Sequence, residues 1–432
     1  MSQPIISTPI RRTRFTGPIY LPGQDGYDER RKPVLPIHDP KPAMIVEASG
    51  AADVRAAVIA AREHDLPFGV QATGHGLVRP SDGGLLVRTS GMATVLVDPD
   101  RRVARAGPGA RWQDVIAAAE PFGLAPLSGT SPSVGVAGYT LGGGHGWLAR
   151  QYGFAADSLL RAEIVTADGA IATVSRDKHP NLFWALRGGS GNFGVVTALE
   201  FRLYPAAEVY AGVTYYPIEA AADTLAGYRE WTATAPDEIS TAVLVRRMPE
   251  SSPEPLRGKK VLAIRGLSTL DPAATERVLA PLRAKAGTPI ADTWTVTSYA
   301  AGSVGGTPPK VFELLRTLPD QVIDVLTTAV ADDVAPTVEV RHWGGAMARP
   351  AADAGPVGAR DAEFSVTVDA RPAGLPEVVA EHATGGAFLN FLADPSRVQS
   401  AYTRENYRRL THVKRVYDPD NFFHLNHNIA PR

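Results

Sequence analysis

The chain has 432 residues, 44% of them hydrophobic and 21% charged, with 44 basic side chains against 45 acidic ones. That length suggests two or three domains and a core that needs no disulfide or metal staple, and the even charge balance offers no field for nucleic acid. The absence of cysteine excludes disulfides, thiolate nucleophiles, zinc–thiolate sites and iron–sulfur clusters.

The N-terminal stretch MSQPIISTPIRRTRFTG has no apolar run of signal-peptide length. No segment approaches the ~18 apolar residues of a membrane span. A soluble, cytoplasmic protein without membrane contact is the expectation. Residues 1–40, rich in Pro, Gly, Arg and Asp, read as an irregular arm. AMIVEA is then a strand, Ser49 a helix cap, GAADVRAAVIAAREHD a helix and LPFGVQ a second strand. Strand, helix, strand is a βαβ unit that favours parallel strands.

His75 follows, in a loop of small residues, ATGHG. GLLVRT, ATVLVD and RVARAG are short strands, the last two joined by a turn at Asp98–Arg101. RWQDVIAAAEPFG is a helix ending near Gly123. RAEIVTA and AIATVS pair as a hairpin, with Asp168-Gly169 suited to a two-residue primed turn. HPNLFWALRGG is a short helix, and GVVTALEFRLYP a strand stopped at Pro205.

Between residues 206 and 384, five strands (VYAGVTYYP, STAVLVRRM, KKVLAIRGL, PTVEVRHWGG, EFSVTVDARP) are interleaved with three helices (EAAADTLAGYREWTATA, ATERVLAPLRAKAG, LPDQVIDVLTTAVA). This rhythm suggests one sheet covered by helices on a face. Long loops are expected around 250–257, 301–310 and 349–360. The final segment is a helix, a turn at Asp418–Asn421 and an ordered tail. The whole reads as α+β.

Two glycine clusters interrupt this pattern. GGSGNFG spells Gly189-x-Gly191-x-x-Gly194, but a helix precedes it and a strand follows, the reverse of a dinucleotide fingerprint. It is a glycine turn, or backbone lying against some other nucleotide. The run from Ser128 to Gly153 has glycines at 135, 138, 142, 143, 144 and 146. Such density permits close approach of a large flat ligand to bare main chain, or else marks a mobile loop.

The blocks ATGHG with DGGLLV, SPSVGVAGYTLGGGHGWLARQYG, LFWALRGGSGNFGVVT and VYDPDNFFHLNHNI together resemble the berberine-bridge-enzyme-like flavoproteins of the vanillyl-alcohol-oxidase superfamily. The resemblance is collinear from about residue 38 to the end. It implies a PCMH-type FAD-binding domain over 1–205, made of a small βαβ subdomain and an antiparallel one. A substrate domain over 206–384 with a helix-covered antiparallel sheet would follow, and a segment over 385–432 would return to the FAD domain.

It further implies that His75 bonds the 8α-methyl of FAD. Ser131 stands where many relatives have a second, cysteine tether, so a single covalent link is expected. The cofactor contacts carried over are Gln71, Ala72, Thr73, Gly74, His75, Gly76, Thr130, Ser131, Val134, Gly135, Gly138, Tyr139, Gly142, Gly143, His145, Gly146, Gly194, Val195, Asn426 and Asn428. Tyr139 is also a candidate hydrogen-bond donor to the flavin pyrimidine ring.

The implied reaction is hydride transfer from a C–OH or C–N carbon of a small organic substrate, a secondary metabolite or sugar-like alcohol, with dioxygen as acceptor. In the Tyr-x-Asn-Tyr block of relatives this chain has Phe388 and Phe391, so the usual phenolic base is missing. Replacements are His342, with Tyr299 and Tyr215 or Tyr216 behind it. Glu339 and Arg341 share the opposite strand face from His342, either as an ion pair or in the site. No metal is expected, and a monomer or homodimer is. The alternatives to an oxidase are a flavin held for a non-redox cyclisation and a flavin-retaining binding protein.

Overall fold

The computed structural model describes residues 14–431; the first part of the expected N-terminal arm lies outside the described residues. Its first sheet contains β1 (Ile19–Tyr20), β2 (Met44–Glu47), β3 (Phe68–Gln71) and β4 (Leu85–Arg88). The order is β1-β2-β4-β3, with β2 and β3 each parallel to β4. The crossover helix Ala51–Glu63 thus joins parallel strands, but GLLVRT supplies the strand between them. The helix buries Val54, Ala57, Val58 and Ala61 against Phe68, Leu85 and Val87 of the sheet, the spacing of a helical stripe.

The helix start differs from expectation. Its N-cap is Gly50, and no side chain caps it there. Asp53 in the first turn does the work instead. Its carboxylate accepts from the backbone N–H groups of Thr16, Gly17 and Ser49 and from the Thr16 hydroxyl. A carboxylate at this end is also favoured by the helix dipole. Ser49 therefore contributes its amide to this cluster, not its hydroxyl to a cap.

The second sheet contains β5 (Val95–Asp98), β6 (Val103–Ala106), β7 (Leu159–Val165), β8 (Ile171–Ser175) and β9 (Val195–Arg202). It is antiparallel, in the order β5-β6-β9-β7-β8. The β7–β8 hairpin forms, but its turn is wider than two residues. Thr166 N–H donates to Ala170 O, and Gly169 takes φ +82°. Asp168 accepts from the Thr166 hydroxyl and the Ala170 amide, and those local bonds stabilise the longer turn. The Ser128–Gly153 run is not a mobile loop: it folds into the short helices Val136–Leu141 and Ala149–Tyr152.

The third sheet comprises β10 (Glu208–Pro217), β11 (Ile239–Arg247), β12 (Lys260–Ser268), β13 (Ala291–Asp292), β14 (Thr295–Ser298), β15 (Val311–Leu315), β16 (Thr337–His342) and β17 (Phe364–Val368). Its path is β13-β10-β12-β11-β16-β17-β15, with β14 also on β10, and every pairing is antiparallel. The strands β13 and β14 are too short and too polar to show in the hydrophobic pattern, and β15, VFELL, is an apolar run too short to tell from a helical segment.

Helices Ala221–Thr232, Pro272–Ala286 and Asp320–Ala331 cover one face. Val243, Val245, Leu262, Ile264, Val338, Val340 and Val366 point to them. The alternate residues Ala242, Leu244, Ala263 and Leu267 join the core of the second sheet. This period-two division decides which side chains of the sheet can face a site between the two halves. The tail after helix Arg404–Tyr417 returns to the first two sheets: Phe423 joins the core of one and Ile429 that of the other.

Burial raises the Asp53 pKa, but the bonds from Thr16, Ser49 and Gly17 outweigh it and hold the carboxyl below its usual range. Its stabilisation is therefore present above the unfolded value of about 3.9 and is lost as pH falls through the lower folded value. Asp53→Asn is expected to destabilise the protein by about 1–3 kcal/mol at neutral pH. It should also flatten the acid limb of the stability curve, as read by urea unfolding at several pH values.

Candidate flavin site

One cavity of about 870 Å³ lies where the three sheets meet, at the upper end of the range for small-molecule and cofactor sites. His75 stands on the loop that leaves the carboxyl end of β3, the end of a parallel sheet where ligands bind. Gly74 makes the turn at φ +82°, and a Cβ there would lie 2.6 Å from Pro33 Cβ, so a larger residue would push His75 out of place. Asn426 from the tail pins the loop beyond it, accepting from the Val78 and Arg79 amides at 3.1 Å.

The His75 ring is half-buried. Its Nε2 lies 3.3 Å from Ser133 Oγ, which is 3.1 Å from Ser131 Oγ. Nδ1 has no hydrogen-bond partner among the described residues. Burial, then the charge of Arg111, push its pKa below the ordinary value, so the imidazole is neutral at pH 7.

The cavity wall suits a flat, extended guest. At Gly76, Gly138 and Gly191, which all line it, nothing stands within 4 Å of where a Cβ would project. These glycines come from three separate segments. Around them lie the polar groups Gln71, Thr73, Ser81, Thr130, Ser131 and Asn192. Asn192 is held rigidly: its amide donates to Gly189 O and His427 O, and its Oδ1 accepts from Ile429 N–H. Bare backbone and fixed polar groups on several walls are what FAD requires of its site.

The structure brings Gln71, Ala72, Thr73, Gly74, His75, Gly76, Thr130, Ser131, Val134, Gly135, Gly138, Tyr139, Gly142, His145, Gly194, Val195 and Asn426 to this wall. It does not bring Gly143, Gly146 or Asn428. Gly143, at φ +115°, makes room for the Phe388 ring, 2.9 Å from its would-be Cβ, and Gly146 for Ser128 O at 1.8 Å. Those glycines serve internal packing. Asn428, within the tail itself, has a buried Oδ1 without a partner among the described residues.

Four candidate catalytic residues also lie off the wall. His342 has the same strand parity as Val338 and Val340, so it faces the covering helices. Its Nε2 is 2.8 Å from Arg150 Nη1, and burial with that cation pushes its pKa down to about 2. Tyr299 is buried with its hydroxyl 2.8 Å from Ser128 Oγ, and burial pushes its pKa up to about 12. Tyr216 belongs to the helix-covered core and Tyr215 packs against the other. Tyr139 is on the wall, but its ring packs edge-on against Trp112 and its buried hydroxyl has no partner.

The other parity of β16 faces the cavity. Arg341 Nη2 meets Glu339 Oε1 at 2.7 Å and Nε meets it at 3.0 Å. Thr307 donates to Oε2 from its amide at 3.1 Å and its hydroxyl at 2.8 Å. Ser365 and Thr367 of β17 extend this polar patch, flanked by Phe312, the cross-strand neighbour of Thr367, and by Phe391 packed on Phe312. Phe388 lies beneath the glycine run instead. The loop after Gly302 closes the cavity, with Gly305 N–H donating to Thr130 O at 2.8 Å. Nothing but its Gly and Pro content marked that loop in the sequence. Asn390, Leu425 and His427 were likewise unmarked wall residues.

A glycine-walled cavity beside a neutral histidine, at the carboxyl end of a small parallel sheet, defines a PCMH-type flavoprotein. Residues 42–175 match the FAD binding domain family and residues 387–430 the berberine and berberine-like family. The chain is 29% identical over 463 aligned positions to (R)-6-hydroxynicotine oxidase of Paenarthrobacter nicotinovorans, covering 99% of this chain and 98% of that one. The crystal structure of 6-hydroxy-D-nicotine oxidase from Arthrobacter nicotinovorans superposes with a TM-score of 0.81 at 26% identity, covering 99% and 100% of the two chains. Glucooligosaccharide oxidase from Acremonium strictum, a 6-S-cysteinyl, 8α-N1-histidyl FAD protein, shares the fold with a TM-score of 0.79 at 22% identity over 96% of this chain and 97% of that one. The chain belongs to the berberine-bridge-enzyme-like flavoproteins; it is an FAD-linked oxidoreductase. No helix among the described residues is long and apolar enough to cross a membrane.

Gly138→Val fills the open wall without touching the core. It should keep the unfolding midpoint while costing about 1.4 kcal/mol or more of flavin binding, roughly tenfold in affinity, and so lower the flavin retained. The flavin-to-protein absorbance ratio of the purified variant measures it.

Proposed function

We propose that the protein is an oxidase holding FAD through a single covalent bond to His75, and that it oxidises a C–OH or C–N carbon of a small organic molecule. FAD, when bound, would supply the hydride acceptor, with dioxygen as the final electron acceptor in this reading. In this reading residues 1–205 and 385–432 hold the cofactor and 206–384 the substrate.

The observation that carries the attachment is the state of His75. It is neutral, its Nε2 is engaged by Ser133 and its Nδ1 faces no protein partner. A neutral imidazole is a competent nucleophile, and the Ser133 contact fixes its plane. With Ser131 bonded to Ser133 and no cysteine in the chain, no second, cysteinyl link forms. The relatives act on an amine and on a sugar by their names, which supports a substrate with an oxidisable C–N or C–OH carbon. Glu339, Arg341, Ser365 and Thr367 would bind its polar groups, and Phe312 and Phe391 its apolar surface. Gly305 bonded to Thr130 excludes water from that end.

Acid-precipitated protein should form a yellow pellet, and the peptide spanning His75 should carry the mass of FAD. His75→Ala should give a white pellet. Anaerobic mixing with (R)-6-hydroxynicotine or a glucooligosaccharide should bleach the flavin, and air should restore it with release of hydrogen peroxide. Product formed over an unreduced flavin would overturn the oxidase reading.

A further inference from the structure

We infer that His145 is the proton acceptor of the reaction, a ring nitrogen taking the hydroxyl or amine proton of the substrate; this rests on the oxidase reading above. Three imidazoles line the cavity. His75 is engaged by Ser133, and His427 Nε2 meets Leu392 O at 2.8 Å. His145 is only 7% exposed, yet it has no hydrogen-bond partner among the described residues. Its ring lies flat on Trp343, 4.4 Å between centroids at 12°, with Phe388 edge-on at 6.5 Å. Packing alone fixes its orientation and leaves its polar edge for a ligand.

The competing groups are spent. Glu339 already accepts twice from Arg341 and twice from Thr307. Despite burial, Arg341 holds it below the usual carboxyl range, so it stays ionised inside its ion pair with both oxygens occupied. Burial raises the Tyr139 phenol well above its ordinary value, and Arg341 is a cation. Burial, with Arg341 adding to it, pushes His145 well below the ordinary imidazole value, so it rests neutral. The charged groups facing it are Arg341 and the paired Glu339 of β16. Of its own glycine run, Tyr139 is on the cavity wall, Arg150 is turned to His342 and the Trp343 carbonyl and Tyr152 stacks on Tyr204; Trp343 and Phe388 carry no charge.

The step balances. The substrate C–H bond breaks with its electron pair leaving as hydride to bound FAD. The O–H or N–H bond breaks, its pair forming the C=O or C=N double bond and its proton passing to His145. The carbon loses two electrons and the flavin gains them. Solvent takes the proton from the imidazolium afterwards.

Two variants test this on the flavin-loaded protein by anaerobic stopped flow, with (R)-6-hydroxynicotine or a glucooligosaccharide as probe. His145→Phe keeps the stack on Trp343, and His145→Gln keeps a polar group. Both should stay yellow on acid precipitation, bleach about 10²–10⁴-fold more slowly and show unchanged dependence on probe concentration. The wild-type rate should fall on acidification, and His145→Gln should lose that limb and be partly rescued by added imidazole. Bleaching of His145→Phe within about tenfold of wild type, or loss of flavin from both variants, would overturn the assignment. Wild-type protein that no amine or alcohol bleaches removes the oxidase reading itself, before any variant is made.

Discussion

The site depends on the C-terminal tail being held against the FAD domain, and that hold centres on one buried ion pair. Lys414 and Asp418 are both fully buried, with Nζ 2.6 Å from Oδ2. Such a pair is stable only if the rest of its hydrogen-bonding capacity is met. Here it is: Lys414 also donates to Asn192 O and Phe423 O, and Asp418 accepts from the Phe422 and Phe423 amides. The pair thereby locks the glycine turn after Gly189 to the tail. From that anchor the chain reaches Asn426, which grips the loop of His75. Two walls of the cavity, remote in sequence, are set by one cluster of charge.

The second constraint is strand parity. Along β16 each residue must face either the covering helices or the FAD domain. Val338, Val340 and His342 take the first side, and Glu339 and Arg341 the second. An imidazole on the first side is sealed against Arg150 and Phe364, however suitable its chemistry. The same alternation on β17 sends Phe364, Val366 and Val368 into the core and leaves Ser365 and Thr367 on the cavity. The polarity of the substrate end follows from that register.

Glycine serves two separate purposes in the Ser128–Gly153 run. Gly138 keeps a wall bare for a ligand, whereas Gly144 and Gly146 let Tyr139 and Ser128 approach from inside the protein. The two are alike in the sequence, because both mean only that a Cβ is forbidden. Which atom forbids it, a guest or a neighbour, is a property of the assembled fold. Gly143, beside the Phe388 ring, belongs with the second kind.

The sequence by itself determined the class of fold, the FAD site and the histidine at its edge. The fold class rests on hydrophobic periods of two and 3.6, whereas the FAD site and its histidine rest on four blocks that together resemble a flavoprotein family. Tertiary structure alone decided the rest. It put β4 between the two strands of the crossover, turned His342 and Tyr299 away, brought the loop after Gly302 over the cavity and left His145 as the unpaired imidazole. Those outcomes depend on pairing and burial between segments far apart in the chain, and a linear pattern records which side chains prefer burial but not which neighbours bury them.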